Sequence, residues 1–476
     1  VFDRLVASGQ QGRNAGRLYD RAPAEAQVAD LLEFAWAATP VTGDDVHDRK
    51  RVEGLLAARK SLRPFSKPAY ASYHVPKSSL DGQRECVTRK DVGLRIGLSQ
   101  HERLSGVGLL KRLGHEVAPQ GAPGQRVASV STFALLSWLA PAIERGGKEP
   151  VVAAVATFAE HFRALAGDRV HRTFFESPDH PLFGTLDAHA FYENRLHEFV
   201  EEEGDLDGVR DAHREAMGAF RDTLDLSGEP NPYLAILVGD GDRLGKLMNG
   251  MPHDRVRDVS RVLSRFAASV RNELFAETRL EGMCVYAGGD DVLALVPVHV
   301  ALQKARELAE AFPSAFEGSR IPKAEWPTFS VGIAITHHLS PLRDGLDAAR
   351  AAEKIAKNDA GRAAWALRIL KRSGAPLDLH GQWETSADEA LVALATASGA
   401  SGAIPRGLAH ALREAAGRLD PNSKGKVPKE LEWTELARIL GQKLPEPTGG
   451  TDPAEAERIR AARRLVQAQL AETTLS

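Results

Sequence analysis

Between Met283 and Pro297 the chain reads MCVYAGGDDVLALVP, two apolar segments with only Gly288, Gly289, Asp290 and Asp291 between them. Short apolar runs joined by four turn-forming residues fold back on each other as a β-hairpin. Gly288 and Gly289 allow the tight reversal and leave the backbone open to close approach. A turn has no need of two adjacent carboxylates, however, and Asp290 with Asp291 brings like charges together at a cost. A second acidic loop lies upstream: the apolar run YLAILV at 233–238 leads into GDGD, which carries Asp240 and Asp242.

The segments around these loops set the fold. After YLAILV, residues 255–275 place Val256, Val259, Leu263, Phe266, Val270 and Leu274 on one helical stripe. The hairpin follows, then a helix at 299–312, a strand over TFSVGIAIT at 328–336, a helix at 342–357 and a strand near 363–370. The first six elements have the order of a ferredoxin-like sheet, the core of polymerase and cyclase palm domains. In that order the first strand lies beside the hairpin, which brings Asp240, Asp242, Asp290 and Asp291 within reach of one another. A cation relieves such a cluster, and hard oxygen donors select Mg2+ or Mn2+. A pair of these ions can clamp the attacking and leaving oxygens of a nucleotidyl transfer. Asp240, at the strand end, is the better ligand candidate, and Asp242 is either a second one or a cap for the following turn. Lys354, Lys357 and Arg362 in AAEKIAKNDAGR either hold phosphates or form a charged helix face. Ser330 and Gly332 either meet a base or ribose or belong to a buried strand. His337 and His338 either line the site or are structural.

The flanks read differently. Helical spacing is expected at 26–37, 46–60, 130–165 and 186–224, irregular structure from Pro64 to about Pro123, and a helical bundle from about Ser386 onward, interrupted by PEPTGGTDP at 445–453. The expected fold class is therefore α+β, a ferredoxin-like palm flanked by mostly helical domains. The boundaries are 1–65 for part of a degenerate first palm, 66–226 for an irregular and helical module, 227–375 for the palm and 376–476 for the bundle. Cys86 and Cys284 are the only cysteines, too few for a disulfide framework or a four-cysteine zinc site. A net charge of −3 leaves nucleic-acid contact to local patches, of which 47–67 is one, with seven Arg or Lys against Asp48 and Glu53. No apolar run is long enough to span a bilayer and VFDRLVASGQ lacks a signal-peptide pattern, so a cytoplasmic location is expected.

ILVGDGDRLGKLM, VYAGGDDVLALVP and SVGIAITHHLSPLRDGLDAARAAEKIAK, in that order, resemble the second palm domain of the large subunit of type III CRISPR effector complexes. EFAWAATPV and VEGLLAARKSLRPF resemble its Cmr branch. The resemblance implies synthesis of cyclic oligoadenylate from ATP when a guide complex binds target RNA. It implies divalent ions on Asp240, Asp290 and Asp291, with the Gly241 carbonyl as a further ligand. Lys357 and Arg362 occupy positions like those that bind triphosphate in related cyclases, and together with Gly288, Gly289, Asp242, Ser330 and Lys354 they are the expected ATP contacts; the expected partners are other Cmr subunits, guide CRISPR RNA and target RNA, with no membrane.

Two features depart from the family. KSSLDG and ERLSGVG stand where two Cys-x-x-Cys pairs of a zinc module are common, giving Ser78, Asp81, Ser105 and Gly108, so no zinc is expected and packing alone should hold this module. His47-Asp48 and His253-Asp254 lack other clustered ligands and read as chance pairs, and the family's N-terminal nuclease domain is expected to be absent. Two other readings stand beside this one. One is a stand-alone cyclase of the diguanylate cyclase kind; the other is a catalytically silent scaffold or RNA-binding subunit.

Overall fold

The structure is a computed structural model that describes residues 19–29, 31, 34–62, 74–88, 102–113, 128–170, 181–184, 186–200, 204–276, 280–398, 429–448 and 453–472, with scattered positions between 404 and 414. The chain forms two compact units, Val1–Arg126 with Gly250–His253, and Val127–Asn249 with Asp254–Ser476.

The first unit holds helices α1 (Arg21–Ala29), α2 (Asp45–Ser61) and α3 (Gly106–Leu113). Helix α1 stops short of the expected 26–37, because the apolar positions beyond it have no core to face: Phe34 is 90% and Trp36 70% exposed. Among the described residues of 1–65 there is no strand, only a single bridge from Tyr19 to Thr88. Helix α2 is capped by Asp44, which accepts from the Val46 and His47 amides, and it buries none of its residues. Asp48 accepts from the Thr42 amide and hydroxyl at 2.7 and 2.8 Å. The four positions of the zinc-module pattern form hydrogen bonds as well as packing contacts. The Ser105 hydroxyl donates to Asp81 at 3.2 Å and accepts from the Gly108 amide at 3.1 Å, and Ser78 accepts from the Leu80 amide. Hydrogen-bonded oxygens thus join residues that the sequence reading left to packing.

The second unit is built on a six-stranded sheet. Its strands are β1 (Tyr233–Gly241), β2 (Met283–Gly288), β3 (Asp291–Pro297), β4 (Phe329–His337), β5 (Ala364–Ile369) and β6 (Leu377–Gln382), in the spatial order β2-β3-β1-β4-β5-β6. The first four reproduce the ferredoxin-like order, with β1 antiparallel to both β3 and β4. A parallel crossover through a helix carries β4 to β5. Strand β6 lies past the expected 375 boundary and extends the same sheet, and the Arg368–Asp378 fork, with two bonds of 2.7 Å, ties it to β5. Strand β2 is an edge, and its register shifts between Cys284 and Tyr286, leaving Val285 and Tyr286 both exposed.

Before the sheet come α4 (Val130–Gly146), α5 (Lys148–Ala166) and α6 (Leu206–Leu224), with 3-10 turns where the 186–200 stretch was expected to be α-helical. Within and after the sheet come α7 (Leu244–Met248), α8 (His253–Ser269), α9 (Ala301–Ser314), α10 (Leu342–Asn358), α11 (Ala387–Ser398), α12 (Lys429–Lys443) and α13 (Pro453–Glu472). Alternation along β1 divides the packing. Leu234 and Ile236 join a core with Ala334, Ala348 and Ala349 and with Phe158, Phe191 and Phe220 of the preceding helical region, so that region and the palm share one interior. Elsewhere in the palm, Phe266 of α8 and Phe329 of β4 each lie 4.9 Å, ring to ring, from Phe312 of α9. Ile404, Leu408, Ile439, Leu440 and Val466 form a separate core at the C-terminal end.

Helix α10 lies on β4 with almost no separation at Gly332, where an added Cβ would stand 2.1 Å from the Glu353 nitrogen and 2.3 Å from the Ala349 carbonyl. Backbone cannot yield as a flexible side chain does. Gly332→Ala is therefore expected to cost about 1–3 kcal/mol in denaturant unfolding, as overpacking does; an unchanged midpoint would show that α10 can lift freely.

Candidate active site

The hairpin turn closes at the pair Gly288–Asp291, so its two central residues are Gly289 and Asp290. Gly289 has φ +69°, the left-handed region that favours glycine in a two-residue hairpin turn. Asp290 sits at the tip and Asp291 begins β3, so the two adjacent carboxylates separate: Asp291 is exposed and Asp290 half-buried. Asp290 leans against the end of β1. A Cβ added at Gly241 would meet the Asp290 Cβ at 2.9 Å and Oδ2 at 3.2 Å. A bare Gly241 thus lets the two acidic loops touch, beside Asp240. Burial, with the Asp291 charge adding to it against an opposing backbone hydrogen bond, raises the Asp290 carboxyl above the usual range.

Asp240 lies opposite Ser330 in the β1–β4 register. Its carboxylate is paired with the Lys357 ammonium, which also contacts Glu353 at 2.6 Å. Burial, and after it the Arg362 charge, push the ammonium down to about 8. Both carboxylates it touches favour the charged form, so the ammonium is the species present at neutral pH. Glu353 is a fifth acid, beside Asp240, Asp242, Asp290 and Asp291, that sequence reading passed over. Burial first, and then the Asp242 charge, raise its carboxyl, while Lys354 and Arg362 oppose them. Its signal was available: Glu353 stands four residues before Lys357, and Gly332 marks where α10 comes closest to the sheet.

Asp242 and Ser330, expected to touch a nucleotide, turn inward instead. Asp242 is 2% exposed and Ser330 is fully buried, and the Ser330 hydroxyl bonds the Asp242 carboxylate at 2.9 Å. Lys354 is exposed on α10 and reaches Glu353 only through space. Arg362 is half-buried, 3.5 Å from Asp242. His337 and His338 lie at the far end of β4. His338 Nδ1 is 2.8 Å from the Ser131 hydroxyl and His337 Nδ1 accepts from the Leu339 amide, so both are structural. Beside Asp242 opens a cavity of about 830 Å³, lined by Arg243, Lys246, Trp326, Arg362 and Trp383 among others.

Among the described residues, no three His, Cys, Asp or Glu side chains are gathered closely enough to hold a metal ion as they stand. The donor set nevertheless fits a hard divalent ion. Asp240, Asp290 and Asp291 offer only oxygen, and the raised Asp290 carboxyl is the strain that a cation removes; Lys357 has to leave Asp240 for such an ion to settle.

Two acidic loops at the end of a central strand and at the adjoining hairpin define a palm domain of the polymerase and cyclase kind. Residues 233–366 match the family described as Cas10/Cmr2, second palm domain. The CRISPR system Cmr subunit Cmr2 of Pyrococcus furiosus is 38% identical over 175 residues, covering 31% of this chain and 19% of that protein. The match thus spans about a fifth of that relative's length. The apo state of a type III-B Cmr-beta complex contains a chain that aligns over 90% of this one and 61% of itself, at 14% identity and a TM-score of 0.50, which is a likeness of fold. A Csm1–Csm4 cassette in complex with cA4 aligns over 51% of this chain and 37% of that one, at 20% identity and a TM-score of 0.32.

The raised Asp290 carboxyl has a measurable sign. A carboxyl held above its unfolded value weakens the fold once ionised, so Asp290→Asn should raise the melting temperature in metal-free buffer at pH 7. The gain should fade as pH falls toward the unfolded value of about 4, where both states bind the proton. Melts recorded from pH 7 downward check this, and a gain independent of pH would contradict the assigned cause.

Proposed function

We propose that this chain is the large subunit, or a part of it, of a type III CRISPR effector complex of the Cmr kind, working in the cytoplasm with other Cmr subunits, guide CRISPR RNA and target RNA. In this reading its palm joins ATP into cyclic oligoadenylate when target RNA is bound. The observation that carries it is the contact of the GGDD turn with the end of β1 at Gly241, beside an Asp240 that is already paired with Lys357.

Asp240, Asp290, Asp291 and the Gly241 carbonyl would hold Mg2+ or Mn2+. Bound there, such ions supply activation of a ribose 3'-hydroxyl and stabilise the charge that develops on the α-phosphate. The remaining work falls to the chain. Lys357 neutralises Asp240 and Glu353 and is placed to pass to phosphate oxygens when Asp240 is taken up elsewhere. Arg362 adds a fixed planar cation suited to bidentate phosphate contact, and Lys354 a mobile one at the rim. Gly288 and Gly289 leave the turn without side chains, so a nucleotide can lie against its backbone. The cavity beside Arg362 has the size of a nucleotide pocket and two tryptophans in its wall.

The test is synthesis from ATP or GTP with Mg2+ or Mn2+, by the chain alone and assembled with guide and target RNA. Cyclic oligoadenylate from the assembled complex supports the reading. Cyclic diguanylate from the isolated chain would favour the stand-alone cyclase, and no product the silent scaffold. Replacing Asp290 and Asp291 together by Ala removes several kcal/mol of charge stabilisation, which corresponds to a loss of about a thousandfold or more in turnover, with assembly retained; loss of assembly would contradict the assignment.

A further inference from the structure

We propose that Asp242 is a positioning residue that aims the Arg362 guanidinium at the substrate phosphates by clamping the turn that carries it. This rests on the reading of Arg362 as a phosphate contact.

The turn before β5 is unusual. Gly361, Arg362 and Ala363 have φ of +86°, +76° and +46°, so an arginine and an alanine follow a glycine in conformations that side chains disfavour. Something outside the turn has to hold them there. The Arg362 amide donates to the Ala356 carbonyl at the end of α10, at 3.0 Å, and the Ala363 carbonyl accepts from the Trp383 amide, also at 3.0 Å. The remaining tie is Asp242, whose Oδ2 accepts from the Ala363 amide at 3.0 Å while Oδ1 stands 3.5 Å from the Arg362 guanidinium. One carboxylate therefore grips both the backbone of the turn and the side chain that the turn presents.

The same carboxylate is fully occupied. Oδ2 also accepts from the Thr328 hydroxyl at 2.8 Å, and the Ser330 hydroxyl is 2.9 Å from both oxygens. The Asp242 amide in turn donates to the Thr328 carbonyl at 2.8 Å. An ionised carboxylate has about four acceptor sites; the Ala363 amide and the Thr328 and Ser330 hydroxyls engage three of them and the Arg362 guanidinium at 3.5 Å faces the fourth, so the carboxylate is committed to donors of this chain. Occupancy separates Asp242 from Asp240 two residues away, whose partner is a lysine on the surface of the site. It also accounts for the residue type. An Asn at 242 keeps a single acceptor oxygen, so its NH2 would face either the Ala363 amide or the Arg362 guanidinium, donor against donor, and it would lose the charge that faces Arg362.

The experiment is a double-mutant cycle of Asp242→Asn and Arg362→Gln in the assembled complex, read by steady-state ATP kinetics and by hydrogen exchange at the Ala363 amide. Asp242→Asn is expected to raise KM for ATP about tenfold, the loss of one charge-assisted contact. The kcat and the Mn2+ concentration for half-maximal activity should stay near wild type. In the Arg362→Gln background Asp242→Asn should add less than about twofold, because the anchor then has nothing to aim. Losses that multiply, or a shift in Mn2+ dependence in place of KM, would overturn the proposal. Ser330→Ala, which removes one donor and keeps the carboxylate, gives a milder rise in KM should Asp242→Asn not fold; no rise would count against the clamp. If the wild-type complex makes no product from ATP, the proposed function fails, yet the clamp is still decided: Asp242→Asn or Ser330→Ala should speed exchange at Ala363 while β4 stays protected, and unchanged exchange there overturns it.

Discussion

Strand β1 pairs on both sides, with β3 through Leu234–Pro297 to Gly239–Val292 and with β4 through Tyr233–His337 to Gly241–Phe329. Two full ladders leave this strand no freedom to slide, since a shift of one residue would turn Leu234 and Ile236 out of the interior. Its last residues therefore arrive at a fixed height beside the hairpin tip and beside the start of β4. That height sets Asp240 under Lys357, Gly241 against Asp290 and Asp242 against Ser330. Three successive residues leave one strand for three different surroundings, and the chemistry assigned to each follows from where the ladder ends.

Helix α10 supplies the opposing charge. It can do so because Gly332 and the alanines of AARAAEKIA let its backbone settle onto the sheet, bringing Glu353 and Lys357 over the end of β1. A larger residue at either surface would lift the cations away from the carboxylates. Packing and electrostatics are here the same constraint: the small residues that close the interior also set the distance across which the ions interact.

Much of this was legible in the chain. The hairpin, the order of six elements and the pairing of GGDD with GDGD rest on periodicity and on turn chemistry, which are local properties. Strand β6 was missed although LDLH alternates cleanly, because it follows a glycine- and proline-containing break and precedes a helical region. The inward turn of Asp242 and Ser330 was not legible. Ser330 lies at a register position and Asp242 one residue past the ladder, but the direction of a carboxylate at a strand end depends on donors from Thr328 and Ala363, more than eighty residues away in the chain. Glu353 was passed over although its spacing of four from Lys357 was readable, because that spacing pairs the two side chains without telling which face of the helix meets the sheet. In the first unit, helical spacing at 34–37 misled because periodicity reports a face, and Phe34 and Trp36 have no interior to meet.

The irregularity in β2 bears on how this sheet ends. A long, straight outer strand offers a row of unpaired amides and carbonyls on which another chain can add itself. Here the register shift at Cys284 and Tyr286 turns the outermost strand within six residues, and Val285 and Tyr286 point outward on consecutive positions. A bulge of this kind breaks the repeat that a foreign strand would have to match and adds twist to the rim. A rim bent in this way is a poor template for strand addition beside the GGDD tip.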